Sequence, residues 1–215
     1  MKGRPRMLNE PAKPGALATV LTVLVYLAAI FLLVLLIVNA YFSRNFLITV
    51  VDGESMKNTF QSGDCVYTDV HATPERGQVI IVDVTDYPDR YPRPFDQAEK
   101  SIIKRLIATE GDTVKCDEAG TVWLKRAGEE EFVPLNEPYA HGRTKEFSEV
   151  EVGEGEIFFL GDNRGNSTDS RAVGCLKAED VIGVVPQWAI NVKWYSTGWE
   201  NFRTGLVNFF RPSAK

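Results

Sequence analysis

Histidine is almost missing from this chain: His71 and His141 are the only two in 215 residues, and neither sits in a recognisable triad motif. A hydrolase that relies on imidazole as its base has little to work with here. Cysteine is scarce and odd in number. Cys65, Cys116 and Cys175 show no C-x-x-C spacing, which argues against a zinc or redox motif, and three thiols allow one internal disulfide at most. The formal net charge is −5 and no basic run follows the first fourteen residues, so there is no phosphate-tracking surface and no nucleic acid is expected as a partner. Neither a nucleotide-binding loop nor a metal cluster is visible; no cofactor and no metal are expected. The length accommodates one ordinary domain and a small extra lobe.

Charge is absent in one long stretch as well. No Asp, Glu, Lys or Arg lies between Lys13 and Arg44, and residues 16–38 form one apolar run. About 20 such residues cross a hydrocarbon core of about 30 Å, so a transmembrane helix is expected over residues 16–40. Lys2, Arg4, Arg6 and Lys13 precede it against the single acid Glu10. Positive residues stay on the cytoplasmic side. Residues 1–15 therefore read as a cytoplasmic tail and residues 41–215 as an extracytoplasmic domain of a single-pass plasma-membrane protein. A cleaved signal peptide is the rival, since Val38-Asn39-Ala40 has small or apolar residues at cutting positions; its apolar core would span roughly 7–15 residues, well short of this run.

Beyond the apolar run the chain carries short β-branched stretches at residues 46–51, 78–84, 101–108, 121–125, 157–160 and 181–185, separated by Gly, Pro, Asp and Asn. With almost no helical periodicity the class is mainly β. Residues 85–100, rich in proline and charge, read as an exposed excursion. Residues 115–156 are charged and turn-rich, as a smaller inserted lobe would be. Near the C-terminus Trp199, Phe202, Leu206, Phe209 and Phe210 fall near one face of a helix, which suits either a membrane interface or packing on the domain itself.

Two residues carry candidate chemistry. Ser55, in Gly53-Glu54-Ser55-Met56, comes directly after the first strand. A serine hydroxyl needs a base within hydrogen-bond reach, and a lysine can serve if loss of hydration lowers its pKa from about 10.4 toward neutrality. In the run 101–108 a period of two puts Ile102, Lys104 and Leu106 on one face, with Arg105 opposite. Lysine is seldom buried without a reason; a lysine guarding an edge strand is the alternative.

Four segments in order, Gly53-Glu54-Ser55-Met56-Lys57-Asn58-Thr59-Phe60, Gly63-Asp64-Cys65-Val66, Ile103-Lys104-Arg105-Leu106-Ile107-Ala108-Thr109-Glu110-Gly111-Asp112 and Gly161-Asp162-Asn163-Arg164-Gly165-Asn166-Ser167-Thr168-Asp169-Ser170-Arg171, resemble the motif boxes of bacterial type I signal peptidases. The resemblance implies a membrane-bound serine endopeptidase with a signal-peptidase-like β catalytic domain that removes signal peptides from exported preproteins after small residues. It implies Ser55 as nucleophile, Lys104 as general base, Ser167 bonded to the lysine amine, and Asp169 with Arg171 as a supporting ion pair. The Ser55 N–H is implied as one oxyanion donor. Val51, Met56, Phe60, Ile102 and Ile103 are the implied lining of shallow substrate pockets, with ordinary core as the alternative for each. The partners are then preprotein signal peptides and the lipid bilayer, and a monomer is expected.

Three positions depart from the family's pattern. Asn58 and Glu110 stand where proline is usual, which implies looser turns, and Gly53 stands where some members carry a serine that completes the oxyanion hole. Two rival functions remain. An exterior thiol transpeptidase would use Cys175 or Cys65, and a non-catalytic peptide-binding relative would keep the groove without turnover.

Overall fold

The computed structural model describes residues 15–91 and 101–210, with the backbone alone for residues 203 and 205–210. The chain divides into two compact units, Met1–Arg44 and Asn45–Lys215. The first holds α1 (Ala16–Asn45), none of whose residues is buried and whose mean hydropathy reaches 3.2. It is apolar on every side. At ~1.5 Å per residue its length exceeds the thickness of a hydrocarbon core. The helix also outlasts the expected boundary at residue 40, running through Tyr41, Phe42, Ser43 and Arg44. Helical hydrogen bonding does not stop where hydropathy does; it stops where the β-branched run begins.

The second unit is built on two antiparallel sheets. In chain order its strands are β1 (Phe46–Val50), β2 (Cys65–Asp69), β3 (Val79–Asp83), β4 (Ser101–Thr109), β5 (Thr113–Cys116), β6 (Val122–Lys125), β7 (Val133–Pro134), β8 (Phe147–Glu151), β9 (Glu156–Leu160), β10 (Leu176–Lys177) and β11 (Val181–Val185). Seven of them form one sheet in the order β1-β2-β11-β3-β4-β9-β10, and four form a second in the order β7-β6-β5-β8. The fold is mainly β. Three short helical elements, α2 (Ser170–Val173), α3 (Gln187–Asn191) and a 3-10 turn at Ala178–Asp180, join a longer α4 (Lys193–Phe210).

Position in the sheet explains composition. β4 lies between β3 and β9 and is buried along almost its whole length. Ile102 and Leu106 pack with Ile80, Val82 and Phe159 on one face, whereas Ile103 packs with Val79, Ile81 and Met56 on the other. A bulge between Leu106 and Ala108 then shifts the alternation. Ile107 and Ala108 join a third core with Val114, Leu124 and Phe158. That core continues into the second sheet, which is therefore not a free-standing unit. Truncating Phe158, fully buried there, costs about 3–5 kcal/mol.

The excursion after β3 is less exposed than its composition suggests. Tyr91 is buried in the core on the Ile102 face, and Tyr87 packs against it with its hydroxyl on Asp180. Residues 92–100 lie outside the described residues.

α4 closes an unpaired stretch of sheet edge. β11 meets β2 only at Asp69, leaving Cys65 without a strand on that side. Thr197 Oγ1 accepts from the Cys65 N–H at 2.9 Å, and Ser196 Oγ bonds the Cys65 carbonyl. Lys193 Nζ reaches Thr59 O at 2.5 Å and Asp64 at 3.0 Å.

Candidate active site

The turn that presents Ser55 is held from three sides. At its base Val51 N–H donates to Asp64 O and Gly63 N–H to Val51 O, both at 2.8 Å. Gly53 adopts φ +82°, a left-handed conformation that glycine reaches without strain, and Asp52 accepts from its N–H at 2.7 Å. Beneath, Met56 and Phe60 are fully buried plugs. Above, Asn163 donates its backbone N–H to Ser55 O at 2.9 Å and its Nδ2 to Glu54 O at 3.0 Å. Segment 161–171 thereby fixes the two carbonyls that flank the serine. Gly161 admits no side chain: a Cβ there would lie 2.6 Å from Ser55 O and collide with Ser167.

Lys104 projects from β4 into this turn. Its Nζ lies 2.8 Å from Ser55 Oγ and 2.9 Å from Ile103 O, and the residue is only 4 % exposed. Among the described residues no carboxylate bonds it. Burial strips the ammonium of water and pushes the amine down to about 8, with Asp169 and Asp162 opposing the shift from farther away.

Arg105, the next residue, points to the other face. Asp162 accepts its guanidinium bidentately at 2.8 and 2.6 Å and also takes Thr59 Oγ1 at 2.5 Å. The Tyr139 ring lies 3.7 Å from the same guanidinium. Arg164, wholly buried, is held by Glu137 at 2.6 and 2.9 Å and by Thr144 at 2.8 Å. Asp169 and Arg171 pair at 2.8 and 2.7 Å. Burial alone would raise the Asp169 carboxyl, but the Arg171 guanidinium and the Gly161 N–H hold it below its ordinary value.

A groove of about 570 Å³ runs past these groups. One wall is β1, from Leu47 to Val50; the other is β4, from Ser101 to Lys104, with Tyr91, Ile81 and Ile182 between them. Among the described residues β1 is hydrogen-bonded to β2 alone, so its second edge is open to the groove. No three His, Cys, Asp or Glu side chains among the described residues are placed to hold a metal ion.

A family profile described as signal peptidase, peptidase S26, matches residues 21–189. The chain belongs to that signal peptidase family. It is 30 % identical over 162 residues to the signal peptidase I of Bacillus licheniformis, covering 70 % of this chain and 81 % of that protein. It is 28 % identical over 144 residues to signal peptidase I P of Bacillus subtilis subsp. natto, covering 63 % and 72 %. A crystal structure of a signal peptidase I from Enterococcus faecalis V583 matches at 27 % identity and a TM-score of 0.40, over 54 % of this chain and 98 % of that one. The protein is thus an enzyme, a peptide-bond hydrolase.

Against the signal peptidase pattern, the supporting residues fall into place unevenly. Asp169 and Arg171 are paired, but Ser167 does not bond the lysine amine. Its Oγ is buried in the groove wall with no hydrogen bond of good geometry, near enough to Asp169 only to help hold that carboxyl down. Of the five residues expected to line substrate pockets, Ile102 and Ile103 line the groove. Val51, Met56 and Phe60 do not; they belong to the core under the groove, because nearness to Ser55 in sequence places them below the turn, not beside it. The wall residues Leu47, Ile48, Thr49 and Val50 were not singled out from the sequence, although the run 46–51 that leads into Ser55 was legible as a strand. Asp162 and Asn163 were also missed as individuals, although a buried arginine beside Lys104 needs an anionic partner.

The turns without the family's prolines are not loose. Asn58 sits at φ +81°, a left-handed value closed to a proline ring, in a turn joined by Thr59 N–H to Met56 O at 3.0 Å. Glu110 occupies the position before Gly111, φ +77°, and its carboxylate takes the Gly155 N–H at 2.9 Å. The thiols suit a nucleophile poorly. Burial pushes Cys175 up to about 11 and also raises Cys65, whereas a reactive thiolate needs its pKa lowered.

Proposed function

We propose that this chain is a single-span, membrane-anchored endopeptidase that cleaves signal peptides from preproteins after small residues, with Ser55 as nucleophile and Lys104 as general base. The observation that carries the reading is the 2.8 Å approach to the serine hydroxyl of a buried lysine amine that bonds no carboxylate among the described residues. With the amine near 8, a useful fraction is neutral at physiological pH. The lone pair freed along the Oγ direction accepts the hydroxyl proton as Oγ attacks the scissile carbonyl. The Ile103 carbonyl keeps a second N–H of the amine, so the lone pair is aimed.

The Ser55 N–H donates to no acceptor among the described residues, which suits it to the oxyanion that forms. The lysine ammonium then gives its proton to the departing amine. A water attacks the acyl-serine ester, again deprotonated by Lys104, and the serine is regenerated. Asn163 holds the Ser55 carbonyl still through both steps.

An extended substrate adds to the open edge of β1 or lies along β4, its main chain bonded and alternate side chains in pockets. Ile102, Ile103, Ile81 and Ile182 crowd the floor, which favours small side chains next to the scissile bond. The apolar α1 anchors the chain, with Lys2, Arg4, Arg6 and Lys13 keeping the N-terminus cytoplasmic and the sheets outside the bacterial plasma membrane. Every group in the mechanism comes from one chain, so a monomer suffices. A preprotein incubated with the detergent-solubilised protein tests the reading. Cleavage after a small residue by wild type, and loss of at least about a hundredfold in Ser55→Ala, are expected. Undiminished cleavage by Ser55→Ala overturns it.

A further inference from the structure

The amphipathicity of α4 is inside out. A surface helix of a soluble protein turns its apolar stripe to the core and its polar face to water. α4 does the opposite. The groups it commits to the domain are hydrophilic: Ser196 and Thr197 on the backbone of Cys65, and Lys193 on Asp64 and Thr59. Its aromatic residues are left outside, Trp194 at 73 %, Tyr195 at 58 %, Trp199 at 51 % and Phe202 at 59 % exposure. At about 100° per residue these four fall within roughly 140° of arc. One uncharged stripe results, opposite Lys193 and Glu200.

We propose that this stripe is a lipid-contact surface, lying in the interfacial region of a bilayer as a second attachment in addition to α1. The chemistry selects the occupant. Trp and Tyr, with apolar rings and polar tips, are the side chains that prefer the boundary between headgroups and acyl chains, and they supply three of the four exposed residues. A partner protein of ordinary interface composition would also meet charged or hydrogen-bonding groups, and the stripe presents none beyond the ring N–H and O–H tips that suit headgroups. The bilayer itself is present on the reading that α1 spans it, on which this inference rests. The consequence for function is positional: the stripe restricts how the catalytic domain can roll against the membrane, and so where the groove meets a preprotein emerging from the same bilayer.

The test uses the full chain in phosphatidylcholine–phosphatidylglycerol vesicles whose lipids are brominated at shallow acyl positions. In Trp123→Phe/Trp188→Phe the remaining indoles are Trp194 and Trp199, and lipid bromine is expected to quench at least half of their fluorescence. In Trp188→Phe/Trp194→Phe/Trp199→Phe only Trp123 remains, its indole bonded to Asp117, and quenching of less than a tenth is expected. Co-flotation with vesicles after carbonate washing reports α1 separately. Flotation without quenching of Trp194 and Trp199 overturns the inference and leaves the anchor reading standing. Protection of those indoles from aqueous acrylamide without bromine quenching means a second copy or another protein covers the stripe, and also overturns it. Loss of flotation removes the anchor and the inference together. A Trp194→Ser/Trp199→Ser/Phe202→Ser variant should cleave a short soluble peptide at the wild-type rate, while its cleavage of a vesicle-inserted preprotein falls about threefold or more.

Discussion

Lys104 and Arg105 are consecutive residues on β4, both basic and both buried, yet the protein treats them in opposite ways. Arg105 is met by the two oxygens of Asp162, by Gly77 O and by the Tyr139 ring. Lys104 is met by a serine hydroxyl and one carbonyl. Placing two basic side chains on opposite faces of one strand lets a single segment carry a structural cation and, on the proposed mechanism, a reactive amine. The first is met by a carboxylate; among the described residues the second is met by none.

The sharpest way to break the comparison is to remove the paired member. Arg105→Met leaves the buried Asp162 side chain bonded, among the described residues, by Thr59 alone, and should cost about 3–5 kcal/mol of stability, read by urea denaturation in detergent. The unpaired member should behave in reverse. Lys104→Met is expected to cut preprotein cleavage at least about a hundredfold while leaving the fold as stable or more so. The sign follows from linkage: a lysine lowered from 10.5 to about 8 in the folded state carries a cost that is fully present below about pH 8 and relieved as pH rises to 10.5. That cost is about 3 kcal/mol at neutral pH, and the variant escapes it. A Lys104→Met protein that unfolds more readily at pH 7 would contradict the account.

A third expectation concerns rate. On the proposed mechanism only the neutral amine accepts the serine proton, so cleavage should rise about tenfold between pH 7 and pH 9 and level off above. Asp169→Asn removes a negative charge that holds the amine up, so the midpoint of that rise should move to lower pH. The smallest expected effects lie in the turn. Asn58→Gly should change stability by only a few tenths of a kcal/mol, since glycine accepts φ +81°, whereas Asn58→Pro should lower the melting temperature measurably despite restoring the family's residue.

Sequence legibility followed the same division between local and remote causes. The runs at β1, β3, β4, β6, β9 and β11 were visible because β-branched residues cluster there. β2, β5 and β8 were not, since Cys65-Val66-Tyr67-Thr68-Asp69, Thr113-Val114-Lys115-Cys116 and Phe147-Ser148-Glu149-Val150-Glu151 mix polar residues into short runs, and β8 owes its pairing to β5, beyond β6 and β7 in the chain. In the site, Ser55 and Lys104 stood out through motif and burial logic. Their surroundings did not: Tyr91 sits in a stretch whose prolines and charges suggested exposure, and that Ser167 makes no hydrogen bond to the amine is nothing that spacing encodes. The period of two placed Arg105 opposite Lys104 but gave no sign that Asp162 is its partner.

The grip of Glu137 on Arg164 has a consequence for anyone seeking a smaller enzyme. Excising the segment that carries β5 to β8 looks like trimming an ornament, yet Glu137 leaves with it, and a guanidinium with no solvent access is stranded three residues from the glycine that abuts Ser55. Miniaturisation by deletion would thus unseat the loop that holds Ser55, and any compact derivative must first supply Arg164 with a replacement anion.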